Sequence, residues 1–549
     1  MDWVDLVPRP TQDEWHSMGY VFIAMAVICY YLSVFAWRLA LRDTNAAKRM
    51  RILKSLDVDT RRPYVFVAFL HPFCNAGGGG EKVLFEAIRV QQQDPFAICV
   101  VYTGDIQPLP NGVTKEEILA KAEERFGITL RPEAVAFLPL HNRHFVEGSY
   151  WRHFTLLGQA FGANRLGYTA MSELVPDVFI DTMGYAFALS AVKNYSKEIR
   201  IGAYVHYPTI STDMLQRVRS RKAGITNSGW IATSYPLSFA KLIYYRLFAL
   251  AYGRALRNAD VIVANGTWTR NHIQSLVQCH IKRPWSVHVP TVEIVYPPCN
   301  TQLFSKLPLQ KRQMRQIASL AQFRPEKDHA LQLRIIHQLL QNHSELKKSR
   351  GNQRPLKLIL IGSCRNAEDE ERVRHLKELA KELVIENHVE WCINAPLETV
   401  IEKLRGASLG LSTMVDEHFG INVVEYMAAG LIPLSHASAG PLLDVAIPVD
   451  GQPTGFHAKD LDSYVTQAYE LLTLSEAKAL DIRKRARSFV QDTFSDETFD
   501  RAWRKHLWDK LVAQSLAEQD TKRQITVDGS HKIAKSTIKS TPSDSRKDK

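Results

Sequence analysis

The feature that most constrains this 549-residue chain is a repeated alternation of short apolar runs with helical stretches, broken once by Pro297-Pro298. The first series comprises YVFVAFL (64–70), FAICVVY (96–102), DVFIDT (177–182), IRIGAYVHYP (199–208) and DVIVAN (260–265). After VEIVYPP (292–298) a second series follows: IASLAQF (317–323), LKLILIGS (356–363), HVEWCIN (388–394), ASLGLST (407–413) and LIPLSH (431–436). Runs rich in β-branched and aromatic residues, separated by helix-length segments, predict a doubly wound parallel sheet. Two series predict two Rossmann-like domains, and the length suits that number. The chain is therefore read as α/β, dividing near residue 305, with domains at 60–305 and 306–513. The two halves share only this pattern and no sequence repeat.

GYVFIAMAVICYYLSVFAW (19–37) contains no charge. At about 1.5 Å per residue a helix of this length spans roughly 28 Å, close to the hydrocarbon core of a bilayer. A cleaved signal peptide would begin basic and end in small residues. Here the start carries Asp2, Asp5, Asp13 and Glu14, and the run ends in Trp37-Arg38. We read 19–39 as a single transmembrane anchor. Arg38, Arg42, Lys48, Arg49, Arg51 and Lys54 follow it, which by the positive-inside rule places the rest of the chain in the cytoplasm and residues 1–18 across the membrane. Seven irregularly spaced cysteines agree with a reduced compartment. The KLIYYRLFALAYGRALR stretch (241–257) carries Lys241, Arg246 and Arg254, so it reads as a buried or membrane-surface helix. Residues 514–549 are poor in large apolar side chains and read as a disordered tail. A formal charge of +12 suits nucleic acid, anionic lipid or phosphorylated ligands. No zinc-finger spacing, aromatic RNA-binding signature or groove-entering basic helix favours nucleic acid.

Four sites carry the chemistry. In EHFGINVVE, Glu417 and Glu425 flank a turn, Phe419-Gly420-Ile421-Asn422, that opens a helix. Both acids reach one cleft only if Glu417 lies on the preceding loop. Amides at such a helix start favour phosphate, and the carboxylates can accept from sugar hydroxyls. As bare spacing, the pair fits a solvated helix start equally well. In SLAQFRPEKDHALQL, Arg324 and Lys327 follow a strand and precede a helix capped by Asp328, a place suited to a diphosphate or to an exposed charged loop. Gly77, Gly78, Gly79 and Gly80 follow the first strand and permit close backbone approach; neither a P-loop nor a dinucleotide fingerprint surrounds them. His206 ends a strand and faces the expected cleft, although a lone histidine is more often simply packed.

Together these residues resemble the retaining GT-B glycosyltransferases of the glycogen-synthase-like group, over about residues 64–510. The further stretches HPFCNAGGGGEKVL, PDVFIDTMGYAF, AYVHYPTIS and DEHFGINVVEYMAAGLIPLSHASAGPLLD are similar to the endoplasmic-reticulum GDP-mannose-dependent α-1,2-mannosyltransferases of asparagine-linked glycosylation. The resemblance implies a GT-B fold, an acceptor side at 60–305 and a GDP-mannose side at 306–513. It implies addition of the fourth and fifth mannoses to a dolichol-diphosphate oligosaccharide at the cytosolic face of the endoplasmic reticulum. It makes Arg324 and Lys327 catalytic diphosphate ligands, Glu417 a catalytic mannose contact, Glu425 a ribose contact and His206 a catalytic residue lining the acceptor or sugar side. Gly77, Gly78, Gly79, Gly80, Phe419, Gly420, Ile421 and Asn422 complete the substrate site it implies. No cofactor or metal is expected, and other mannosyltransferases of the pathway are candidate partners. Competing expectations are a glycosylphosphatidylinositol-pathway enzyme of the same group and an inactive membrane-tethered scaffold.

Overall fold

The computed structural model describes residues 12–106, 112–210, 214, 218–219, 234–278, 290–349 and 354–512. The expected tail and residues 1–11 of the expected luminal segment lie outside them. The first sheet holds β1 (Val65–Leu70), β2 (Ala97–Thr103), β3 (Val135–Pro139), β4 (Val178–Asp181), β5 (Arg200–Val205), β6 (Val261–Ala264) and β7 (Val292–Ile294), in the order β3-β2-β1-β4-β5-β6-β7. The second holds β8 (Gln313–Leu320), β9 (Lys357–Gly362), β10 (Val389–Ile393), β11 (Ala407–Leu411), β12 (Ile432–His436) and β13 (Phe456–Ala458), in the order β10-β9-β8-β11-β12-β13. Every pairing between these strands is parallel.

Burial explains why the strands read as unbroken apolar runs. Along β1, Phe66, Ala68 and Leu70 enter one core while Val67 and Phe69 enter the other, so neither face meets water. β3 and β13, absent from the expected series, are sheet edges, where short strands suffice and Pro139 is tolerated.

The helix Gln12–Ser55 runs through the expected anchor. Among the described residues no helix is long and apolar enough to cross a membrane. Its C-terminal turns belong to the first domain. Ile52, Leu53 and Leu56 join that core, and Arg49 pairs with Asp177 at 2.8 Å and donates to the Val175 carbonyl at 2.9 Å. The six described cysteines are all free.

The expected boundaries need correction at both ends of the second domain. Cys299, Phe304 and Leu307 already pack in its core, so the chain has crossed before 305. The helix Asp496–Trp503 and the turn after it return to the first domain, where Phe499, Trp503, Leu507 and Leu511 are buried against Val67, Tyr204 and Val263. Gly202 in β5 makes room, since a Cβ there would lie 3.1 Å from Leu507 and 3.2 Å from Leu511. The two crossings touch where the Cys299 amide donates to the Phe494 carbonyl at 3.2 Å. Lys82 spans both, reaching Asn300 at 2.6 Å and Asp496 at 3.3 Å.

Candidate functional site

In an open parallel sheet a ligand sits beyond the carboxyl ends of the strands, where the strand order reverses. Those points lie between β1 and β4 in the first sheet and between β8 and β11 in the second. The loops leaving β1, β8 and β11 carry Gly77–Gly80, Arg324 with Lys327, and Glu417; His206 follows β5, beside β4.

On the second domain, Lys327 and Glu417 form a hydrogen-bonded ion pair, with side chains 20% and 14% exposed. Thr413, two residues beyond β11, holds the Lys327 loop by donating to the carbonyls of Lys327 (2.8 Å) or Asp328 (3.1 Å). Asp328 caps the helix His329–Asn342, accepting from the Leu331 amide at 3.1 Å, as expected. Arg324 Nη1 is 3.6 Å from Glu326, and its buried Nε has no hydrogen-bond partner among the described residues. Glu417 lies on the loop before the helix, as the spacing required, and its carbonyl accepts from the Gly440 amide at 2.9 Å. Gly420 adopts φ +96°, a left-handed turn that opens the helix Ile421–Ala429. Tyr426 of that helix bridges the parting strands: its hydroxyl accepts from the Leu320 amide at 2.6 Å and donates to the Leu411 carbonyl at 3.3 Å. Burial pushes the Glu425 carboxyl up to about 7, against the opposing pull of Lys82 and Arg125.

On the first domain the four glycines have different duties. Gly77 takes φ +78°, and its carbonyl accepts from Arg125 Nε at 2.7 Å. Gly78 caps the helix Gly79–Gln91, and Glu81 reaches back to accept the Gly78 amide at 2.8 Å. Gly80 opens onto two imidazoles, its virtual Cβ lying 3.7 Å from His206 Nε2 and 4.0 Å from His71 Cε1. His71 Nδ1 is 2.8 Å from the Thr182 hydroxyl, and its Nε2 lies 3.9 Å from Glu81. Burial would raise the Glu81 carboxyl, but His71 and nearby amides hold it below the usual range. Burial, with His71 adjacent, pushes His206 down to about 4, so it is neutral at physiological pH.

The two halves touch at the candidate residues. A Cβ on Gly79 would lie 2.8 Å from Ile421 Cδ1, which brings the glycine loop onto the start of the helix Ile421–Ala429. Lys327 and Glu417 thus pair, the glycine loop meets the helix start at Ile421, and Arg324 shares the loop of Lys327. Glu425 feels the charges of Lys82 and Arg125. Cations and helix amides of this kind can bind a diphosphate.

Residues 64–277 match the model of the ALG11 mannosyltransferase N-terminus. A Mus musculus protein named GDP-Man:Man(3)GlcNAc(2)-PP-Dol alpha-1,2-mannosyltransferase is 44% identical, over 87% of this chain and 92% of that protein. The chain belongs to the ALG11 mannosyltransferase family. An identically named Xenopus laevis protein is 46% identical, over 79% of this chain and 85% of its own. Residues 303–489 match the model of glycosyl transferases group 1, so this ALG11-family chain is a glycosyltransferase. The trehalose 6-phosphate synthase of Burkholderia multivorans shares the GT-B architecture, with a TM-score of 0.57 over 83% of this chain and all of that one (100%) at 12% identity.

Phe419 is 3% exposed and packs on Tyr296 and Phe494, which leaves its backbone for a ligand, the group expected to act there. One expectation for this ALG11-family site changes: the Asn422 side chain hydrogen-bonds the Tyr426 hydroxyl rather than standing free for a ligand. Sequence reasoning missed His71, Glu81, Lys82, Arg125, Thr413 and Tyr426. Only Glu81 left a signal, as the third helical residue of a capping box.

Proposed function

We infer that the chain transfers mannose from GDP-mannose, in α-1,2 linkage and with retention, to a dolichol-diphosphate oligosaccharide, adding the fourth and fifth mannoses. The observation that carries this reading is the convergence of Arg324, Lys327, Glu417 and the Gly420 turn at one reversal point, opposite the glycine loop. The donor and acceptor come from the names of the relatives.

The acceptor hydroxyl attacks the anomeric carbon on the face the diphosphate leaves. The bond from that carbon to the β-phosphate oxygen breaks, a new C–O bond forms, and the hydroxyl proton passes to the departing phosphate. GDP and an α-mannoside result. Arg324, Lys327 and the helix amides stabilise the charge that grows on the leaving group. Lys327 exchanges part of its contact with Glu417 for phosphate, freeing that carboxylate for the mannose hydroxyls. Glu425 receives the ribose, and neutral His206 lines the sugar side. Glu417→Ala should lower transfer of labelled mannose by about 10²–10³-fold, the cost of removing a group that orients the transition state; transfer at the wild-type rate would overturn the assignment.

The cations and helix start supply the charge that a divalent ion supplies elsewhere, so we propose a metal-independent reaction. Activity should survive EDTA, and loss restored by added Mg²⁺ or Mn²⁺ would refute this. We further propose that Gln12–Ser55 anchors the chain in the endoplasmic-reticulum membrane with both domains cytosolic. Val21, Met25, Ile28, Tyr31, Leu32 and Phe35 along it are exposed. Phe154, Leu157 and Phe161, on and beside the helix Thr155–Glu173, are exposed too, and Tyr168 of that helix meets Tyr30 at 2.9 Å. An apolar face beside the anchor suits a lipid acceptor.

A further inference from the structure

Each half of the site ends in a pair of neighbouring residues. His206 faces the glycine loop while Tyr207 faces the other domain; Glu417 pairs with Lys327 while His418 faces back. The His418 ring lies 4.2 Å from Tyr207 and 5.1 Å from Trp268, centroid to centroid, and those two rings are parallel to within 5° at 6.4 Å. Its backbone is fixed from both sides. A Cβ on Gly440 would lie 2.5 Å from the His418 carbonyl oxygen, and one on Gly266 of the first domain 3.7 Å from it. Beside this contact, Asp444 of the second domain accepts from the amide (2.9 Å) and hydroxyl (2.5 Å) of Thr267, the first residue of the helix Thr267–Gln278.

We propose that His418 is a positioning residue: its ring, slotted against Tyr207 and Trp268 of the first domain, registers Glu417 against the His206 side of the cleft when the domains meet. Glu417 lies one residue away, so any slip of His418 displaces the carboxylate that orients the transferred sugar. The donor diphosphate is gripped by Arg324, Lys327 and the helix amides. Among the described residues the His418 ring packs on Tyr207 and Trp268, and no hydrogen bond joins it to those groups. Loss of the ring therefore acts on turnover and spares donor affinity. Burial keeps the imidazole neutral, with Glu417, Lys327, Asp416 and His272 as its charged or titratable neighbours, so the contact is one of shape and ring packing. The inference rests on Glu417 being a donor contact.

The test uses full-length enzyme in detergent with GDP-mannose and a dolichol-like diphosphate oligosaccharide. His418→Ala should lower kcat roughly 10²-fold, the cost of a misplacement near 1 Å, while calorimetric GDP affinity stays within about threefold. His418→Phe, which refills the slot, should restore most of the rate. Trp268→Leu should mimic His418→Ala, and the double variant should lose little more than either alone. The proposal is overturned if His418→Ala keeps its turnover, if His418→Phe is as slow as His418→Ala, or if GDP affinity falls in step with kcat. Should His418→Ala fail to fold, the ring-retaining His418→Phe and the Trp268→Leu cycle decide by the same criteria. Glu417→Ala, run in parallel, separates the readings: wild-type turnover there removes the premise rather than the role of His418.

Discussion

At the scale of single residues, one helix turn gives Glu425 different physics from Glu417. Glu417 lies on a loop against a lysine, while burial raises the Glu425 carboxyl to about 7 from a usual value of 4.5. A raised acid favours the folded state when protonated. Its stabilising contribution is complete below about 4.5 and is lost as pH rises through 7. Ribose hydroxyls donate best to the ionised form, so donor binding should strengthen over that same upper range. KM for GDP-mannose should fall between pH 6 and 8, and Glu425→Gln should flatten the profile; an unchanged profile in that variant would remove Glu425 from the donor site. The acids and cations were legible because their residue types are scarce at the ends of apolar strands. Lys82 and Arg125 were not, because nothing in the sequence places their charges near Glu425.

At the scale of elements, each site group is held by the strand or helix it leaves. The helix Ile421–Ala429 is set by Tyr426, whose hydroxyl fills the gap between β8 and β11 and whose ring needs Gly410 beneath it, where a Cβ would lie 2.3 Å away. Tyr426→Phe keeps the ring and leaves the buried Leu320 amide unpaired. Denaturant unfolding should show a loss of about 1–3 kcal/mol, with weaker GDP binding as the helix start shifts. A variant as stable as wild type would mean that water or a neighbour takes over the amide. The sequence marked this helix by its Gly420 start and apolar face. It could not mark the tyrosine, whose hydroxyl acts only because two strands part at that place.

At the scale of the whole molecule, the two domains are tied by crossings that Lys82 grips together, and the long N-terminal helix is built into the first domain through Arg49, Ile52 and Leu53. An anchor joined rigidly in this way would hold the acceptor side of the cleft at a set height above the membrane. The topology is testable with glycosylation reporters. A sequon introduced within residues 1–18 should be glycosylated in microsomes, while Asn194 and Asn265 in the domains should not, and the reverse pattern would overturn the cytosolic reading. Acid stability is also a property of the whole fold. Burial depresses His206, His329 and His418 to about 4 from 6.5, so each stabilises the neutral-pH fold and its contribution is lost as pH falls from 6.5 through 4.

The sequence by itself determined two doubly wound domains, because strands buried on both faces must be apolar throughout and glycine, proline and charge must punctuate them. It also made legible the acids and cations that follow apolar strands, since an unpaired charge is costly inside a strand buried on both faces. Only the tertiary structure decided where those ends point. Strand order put the reversals at β1/β4 and β8/β11, the chain re-crossed after Phe494, and His418 came to lie against Tyr207 and Trp268. Such contacts join residues far apart in the chain. They follow from how sheets and helices pack, and no local pattern of residues encodes them.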